Sequence, residues 1–197
     1  MIAIIKYPAG NITSVENAVN RLGYECVVTD DIEVLKSADK VIFPGVGEAS
    51  TAMKYLTEKG LDKLIPTLTQ PVLGICLGQQ LMCNFSEENS TECLNIFNTV
   101  VKKFPPTELV PHMGWNNIEI LQSRLLKGIS ADDNFYFVHS FYADPCENTT
   151  AICNYILSFS AVMEKDNFYS TQFHPEKSAD AGEKILKNFL EIERQGN

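Results

Sequence analysis

Pro71-Val-Leu-Gly-Ile-Cys-Leu-Gly-Gln-Gln-Leu-Met82 is the stretch on which the fold turns. Val72, Leu73 and Ile75 make a short apolar run suited to a buried strand, whereas Leu77, Gln80, Leu81 and Asn84 recur at helical spacing. The period changes at Cys76, which therefore stands where a strand hands over to a helix. A thiol placed there faces the free N–H groups and the positive dipole end of the helix, and both favour thiolate. Gly74 and Gly78, two residues to either side, permit a sharp turn and close backbone approach. Cysteine is also among the residues most often buried for packing alone, so the elbow by itself leaves a structural cysteine open.

Toward the N-terminus the chain alternates strand and helix. Residues 2–7 are apolar and β-branched, and Pro8-Ala-Gly-Asn11 closes them with turn residues. Thr13 or Ser14 is expected to cap a helix whose apolar face is Val15, Ala18, Val19 and Leu22, with Gly23 as its stop. Residues 26–29 read as a strand, 32–38 as a short helix and 40–43 as a strand that breaks at Pro44-Gly-Val-Gly47. Helices over 50–58 and 61–69 lead into the elbow strand, and this alternation is a doubly wound α/β signature. The Pro44 to Gly47 segment frees backbone N–H groups for an anion, or is an ordinary tight loop.

Beyond the elbow, 86–91 reads as a polar loop near the site mouth, and 94–114 loosens into short extended pieces. Pro111-His-Met-Gly-Trp-Asn116, which holds the sole tryptophan, Trp115, reads as an exposed loop cluster suited to meeting a ligand or partner. An aromatic strand spans 134–142, with His139 and Ser140 near its end. Antiparallel strands follow at 151–155 and 159–163, a hairpin turn at 164–167 and a return strand at 168–173, which runs into His174-Pro-Glu-Lys-Ser178. A final helix over 181–193 puts Ile185, Phe189 and Leu190 on one face.

The bulk properties narrow the function classes. A chain of 197 residues fits one domain, 1–197, and 45% hydrophobic with 21% charged residues is ordinary for a soluble globular protein. A net charge of −9, with basic residues no more than paired, argues against a nucleic-acid surface. No apolar run approaches the roughly 20 residues that span a bilayer, so no membrane segment is expected. Six cysteines lie scattered without C-x-x-C pairs or nearby histidines, which points away from a metal site or disulfide scaffold and toward a reducing compartment, the cytoplasm. No cofactor is expected.

A cysteine nucleophile needs a base, and the base an orienting group. His174 and Glu176, at i and i+2, are expected to project to the same side of an extended segment stiffened by Pro175. His112 and His139 are the remaining histidines, and neither has a carboxylate within two residues.

Taken together, Gly74-Ile-Cys-Leu-Gly-Gln-Gln80, Pro44-Gly-Val-Gly47 and His174-Pro-Glu176 resemble the nucleophile motif, oxyanion loop and His/Glu pair of the class I (triad) glutamine amidotransferases, in the family's order. Further pieces, Pro111 to Asn116, Tyr136-Phe-Val-His-Ser140 and Gln172 to Ser178, are similar to the branch that serves histidine biosynthesis, across essentially the whole chain. The resemblance implies a flavodoxin-like α/β fold, a mostly parallel central sheet flanked by helices with an additional antiparallel part. It implies a glutaminase in which Cys76 attacks L-glutamine, His174 moves the proton and Glu176 orients His174. Gly45, Val46, Gly47 and Leu77 would form the oxyanion hole, while Gln80, Ser140 and Phe141 would hold the substrate. A separate (β/α)8 cyclase subunit would consume the ammonia in a heterodimer, docking on Asn11, His112, Trp115 and Lys177. Lys6-Tyr-Pro-Ala-Gly-Asn11 departs from the family's usual Asp-Tyr-Gly-x-Gly-Asn, Phe141 stands for a more usual Tyr, and Cys93-Leu-Asn95 for Gly-Leu-Gly. Ammonia supply to another synthase, or a redox-sensing cysteine on the same elbow, are the competing readings.

Overall fold

The computed structural model describes residues 1–193. In chain order it runs β1 Ile2–Ile5, α1 Ile12–Arg21, β2 Cys26–Thr29, α2 Ile32–Ser37, β3 Lys40–Phe43, α3 Ala49–Glu58, α4 Leu61–Leu64, β4 Val72–Ile75 and α5 Leu77–Leu81. There follow β5 Phe85–Ser86, β6 Thr91–Glu92, β7 Val100–Lys103, β8 His112–Asn116, β9 Glu119–Ile120, β10 Phe135–His139, β11 Phe141–Ala143, β12 Thr149–Asn154, β13 Ser158–Lys165, β14 Phe168–Thr171 and α6 Ala179–Glu191.

The main sheet has the order β2-β1-β3-β4-β14-β13-β12-β9. Its pairs are parallel from β2 through β14 and antiparallel from β14 to β9, the mixed sheet expected. All four residues of β1 are buried, because alternate side chains enter two different cores. Ile2 and Ile4 join α1 and α6 on one face, while Ala3 and Ile5 join α2, α3 and α4 on the other. Burial of each such Ile or Leu stabilises by about 1.5–3 kcal/mol, so a strand buried on both faces is held firmly. The first core continues into an aromatic cluster of Phe104, Phe137, Tyr142 and Phe159 that carries the antiparallel strands.

Several expectations change. Segment 86–91 is a loop near the site mouth as expected, but a tight one: residues 87–90 form a turn and a 3-10 segment joining the short strands β5 and β6 of a four-stranded sheet of order β11-β7-β5-β6. The Pro111 to Asn116 cluster is a strand, β8, paired with β10 in a two-stranded ribbon with His112 opposite His139. Gly114 and Asn116 had masked the alternation, but pairing overrides weak strand propensity. Neither Thr13 nor Ser14 caps α1: the N-cap is Asn11, in a left-handed conformation (φ 74°), and its side chain does not cap the helix. The final helix begins at Ala179 and ends at Glu191, about two residues earlier than its apolar pattern suggests at either end.

Candidate active site

The site forms at the carboxyl ends of adjacent parallel strands, the usual place for a ligand in an open α/β sheet. Strand β4 ends one residue before Cys76, and β14, with Thr171 in register with Ile75, leads directly to Gln172 and His174. The Cys76 N–H donates to the Thr171 carbonyl at 2.7 Å, which pins the elbow to the strand that delivers the base. On the other side, β3 releases the Pro44 to Gly47 loop.

Cys76 occupies φ 52°, ψ −103°, a conformation outside the regions open to ordinary L-residues and typical of a nucleophile elbow. Tight packing enforces it. A Cβ on Gly78 would lie 1.9 Å from the Phe43 carbonyl oxygen, and one on Gly74 2.9 Å from the Gly78 carbonyl carbon. Helix α5, at five residues, is shorter than the period of the sequence suggested.

His174 and Glu176 meet as expected, though not in an extended segment: Pro175–Lys177 is a 3-10 turn. His174 Nδ1 and Glu176 Oε1 are 2.7 Å apart, with both side chains fully buried. The His174 N–H donates to the Tyr136 carbonyl at 2.9 Å, anchoring the base to β10. Burial alone would lower the imidazole, but Cys76 and the Glu176 contact outweigh it and raise His174 to about 10. His174 Nε2 and Glu176 Oε2 have no hydrogen-bond partner among the described residues.

Asn11, expected at a partner surface, is half-buried and directs its side-chain amide to the triad. Its Nδ2 donates to Glu176 Oε1 and lies 3.5 Å from His174 Nδ1, so it adds a donor to the acid that orients the base. This role was not legible in sequence, because it joins residues more than 160 positions apart.

A cavity of about 280 Å³ opens beside the nucleophile, lined among others by Gly47, Cys76, Gln80, Glu88, Ser140 and Phe141. The three expected substrate residues thus share one cavity with Cys76. Glu88 is an unforeseen member, placed there by the turn between β5 and β6. Its carboxyl is pushed up by burial while it accepts the Ala49 N–H at 2.7 Å. Gln80 Nε2 donates to the Phe141 carbonyl at 2.9 Å and to Gln172 Oε1 at 3.0 Å. Gln172, in turn, donates from Nε2 to Cys76 Sγ at 3.5 Å.

The oxyanion donors are arranged differently from expectation. The Leu77 N–H donates to the Gly45 carbonyl at 3.2 Å, so that donor is covered by the loop meant to help it. The loop is held from outside as well. Gly10 donates its N–H to the Val46 carbonyl at 2.9 Å, and Tyr7 donates its hydroxyl to the Pro44 carbonyl. The approach is close enough that a Cβ on Gly45 would stand 2.0 Å from Tyr7 Oη.

On the outer face of the ribbon, Met113 and Trp115 are 66% and 56% exposed, and Trp115 meets Tyr136 edge to face. His112, expected to share that surface, is only 4% exposed and points to the opposite face, stacked on Phe137 and Tyr155. Alternation along β8 turns it inward as its neighbours turn out. Lys177 is exposed. No helix among the described residues is long and apolar enough to cross a membrane.

The family description "Glutamine amidotransferase class-I" matches residues 4–192. Imidazole glycerol phosphate synthase subunit HisH of Bacteroides fragilis is 61% identical over 194 residues, covering 97% of this chain and 99% of that protein. The protein of the same name from Haemophilus influenzae is 48% identical over 192 residues, covering 96% of each. In fold, the chain is similar to a putative GMP synthase subunit from Thermoplasma acidophilum, with TM-score 0.72 at 18% identity and coverage of 96% of this chain and 92% of that one. It is also similar to a glutamine amidotransferase from Thermotoga maritima, with TM-score 0.67 at 16% identity and 96% of each chain covered.

Proposed function

Because the chain belongs to the class-I glutamine amidotransferase family, we propose that it acts as one domain, 1–197, that hydrolyses L-glutamine as the glutaminase subunit of an imidazole glycerol phosphate synthase in histidine biosynthesis. Cys76 Sγ attacks the side-chain amide carbon, and His174, through the unpartnered Nε2, gives a proton to the departing ammonia. A thioester remains on Cys76. His174 then takes a proton from water as it attacks the thioester, glutamate leaves, and the sulfur departs as the thiolate beside the protonated imidazole with which the cycle began. Glu176, steadied by Asn11, keeps the imidazole in one tautomer throughout. Gln80, Ser140 and Phe141 hold the carboxylate and amine of glutamine in the cavity beside the sulfur.

The observation that carries this reading is the convergence of a strained, buried cysteine with a buried His–Glu pair beside one cavity. Cys76→Ala, assayed for glutamate release from glutamine, is expected to lose activity entirely. Retained turnover overturns the assignment and favours a cysteine with a redox role.

The covered Leu77 N–H supports a further part of the reading, that the isolated chain is a slow glutaminase. An oxyanion hole needs the Gly45–Val46 peptide to turn so that an N–H replaces the carbonyl, and one such donor is worth about 3 kcal/mol. A (β/α)8 cyclase partner carrying its nucleotide ligand, docked on Trp115, Met113 and Lys177 near the Asn11 loop, supplies that turn and consumes the ammonia. Six free cysteines suit the reducing cytoplasm in which such a heterodimer would work. Glutaminase rates measured with and without the cyclase test this part, and equal rates refute it.

A further inference from the structure

Gln172 is fully buried beside the nucleophile, and no step above uses it. Which end of its amide faces the sulfur is decided by its neighbours. The Phe141 backbone carbonyl can only accept, and it takes Gln80 Nε2 at 2.9 Å, which fixes the NH2 end of Gln80. The same NH2 group reaches Gln172 at 3.0 Å, so the atom it meets there is the carbonyl oxygen Oε1. That leaves the NH2 group of Gln172 turned toward Cys76 Sγ, 3.5 Å away.

The carbonyl that starts this sequence is itself held. His139 Nδ1 lies 2.8 Å from it and must donate, which makes His139 Nε2 an acceptor. His112 Nδ1, 3.0 Å from that nitrogen, then donates, and His112 Nε2 accepts from Asn116 Nδ2 at 3.3 Å. Donors therefore run in one direction from Asn116 on the ribbon to the Phe141 carbonyl. From the same oxygen a second chain runs through Gln80 and Gln172 to the sulfur. Every assignment follows from a single backbone acceptor, and no other placement of these hydrogens satisfies all the contacts.

We propose that Gln172 is a further catalytic residue, a dedicated N–H donor to Cys76 Sγ that favours the thiolate and keeps the sulfur aimed into the cavity, with its orientation imposed by Gln80 and the Phe141 carbonyl. Hydrogen bonds to ionised groups are about twice as strong as neutral ones, so such a donor acts mainly on the charged nucleophile. The role rests on Cys76 being the nucleophile, and its test reads the sulfur directly rather than glutamine turnover.

Gln172→Met and Gln172→Leu each keep most of the volume and remove the donor. Alkylation of Cys76 by iodoacetamide, followed at the Cys76 peptide by mass spectrometry from about pH 5.5 to about pH 9, reports its thiolate fraction. Gln172→Met is expected to be alkylated at least about tenfold more slowly at neutral pH, equivalent to about 1.4 kcal/mol, with its profile moved to higher pH. Gln172→Leu should be slowed to a similar extent. A merely structural amide would lower the melting temperature and leave the pH profile in place. A folded variant with the wild-type profile overturns the proposal, and if Gln172→Met does not fold, Gln172→Leu decides. A failed glutaminase reading would appear elsewhere, as turnover surviving in Cys76→Ala.

Discussion

Acidification should destabilise this protein through its two buried ribbon histidines. Burial lowers His112 to about 4 and His139 to about 3, against a usual value of about 6.5. Both groups are neutral in the folded state, and their contribution is present above about pH 6.5 and lost as pH falls toward their folded values. From pH 7 to pH 5 each forfeits about 2 kcal/mol, roughly 1.5 units at 1.36 kcal/mol per unit, so the pair loses about 4 kcal/mol. His174 runs the other way. Burial lowers it, but Cys76 and Glu176 raise it to about 10, so its contribution is full below about pH 6.5 and fades as pH climbs through about 10. Over the acid interval it returns about 1 kcal/mol, which leaves a net loss of about 3 kcal/mol, a large share of the 5–15 kcal/mol typical of a domain. Urea unfolding at pH 7, 6 and 5 and constant ionic strength measures it. His112→Phe keeps the stacking on Phe137 and Tyr155 but removes one of the two titrations, about 2 kcal/mol, and should cut the net loss from about 3 to about 1 kcal/mol. Equal stability at pH 5 and pH 7, or an undiminished slope in that variant, refutes the reasoning.

Two other outcomes follow from packing and exposure. Gly78→Ala places a Cβ 1.9 Å from a backbone oxygen that cannot rotate away, so it should cost about 3 kcal/mol by urea unfolding and suppress glutaminase activity through displacement of the elbow. Trp115→Ala, at an exposed aromatic on the ribbon, should leave the melting temperature within about 1 °C. It should also weaken cyclase binding by about 2 kcal/mol, near thirtyfold in Kd by calorimetry, if the ribbon is the docking face.

What was legible in the sequence was whatever is local. The strand-to-helix switch at Cys76, the alternation of β1 to β4 with their helices and the His174-Pro-Glu176 pair are written within a few residues each, because periodicity and i, i+2 spacing are short-range properties. The segments that misled were those whose partners lie elsewhere. Residues 111–116 carry Gly114 and Asn116 and look like a loop until Phe135–His139 pairs with them and turns His112 inward. Thr13 and Ser14 look like caps until Asn11 takes the position and spends its amide on Glu176.

The sequence by itself determined the parts of the machine: a nucleophile at an elbow, a base with its acid, a glycine-rich loop and the order in which strands deliver them. Only the tertiary structure decided their electrical state. Parallel pairing of β4 with β14 brings Cys76 to Gln172 and His174 across nearly a hundred residues; burial keeps His139 neutral, while Cys76 and Glu176 outweigh burial at His174 and keep it charged. The orientation of one peptide, Gly45–Val46, with its carbonyl on Leu77, is set by contacts from Tyr7 and Gly10. Hydrogen-bond direction and desolvation depend on what surrounds a group in space, and that information is nowhere contained in its sequence neighbours.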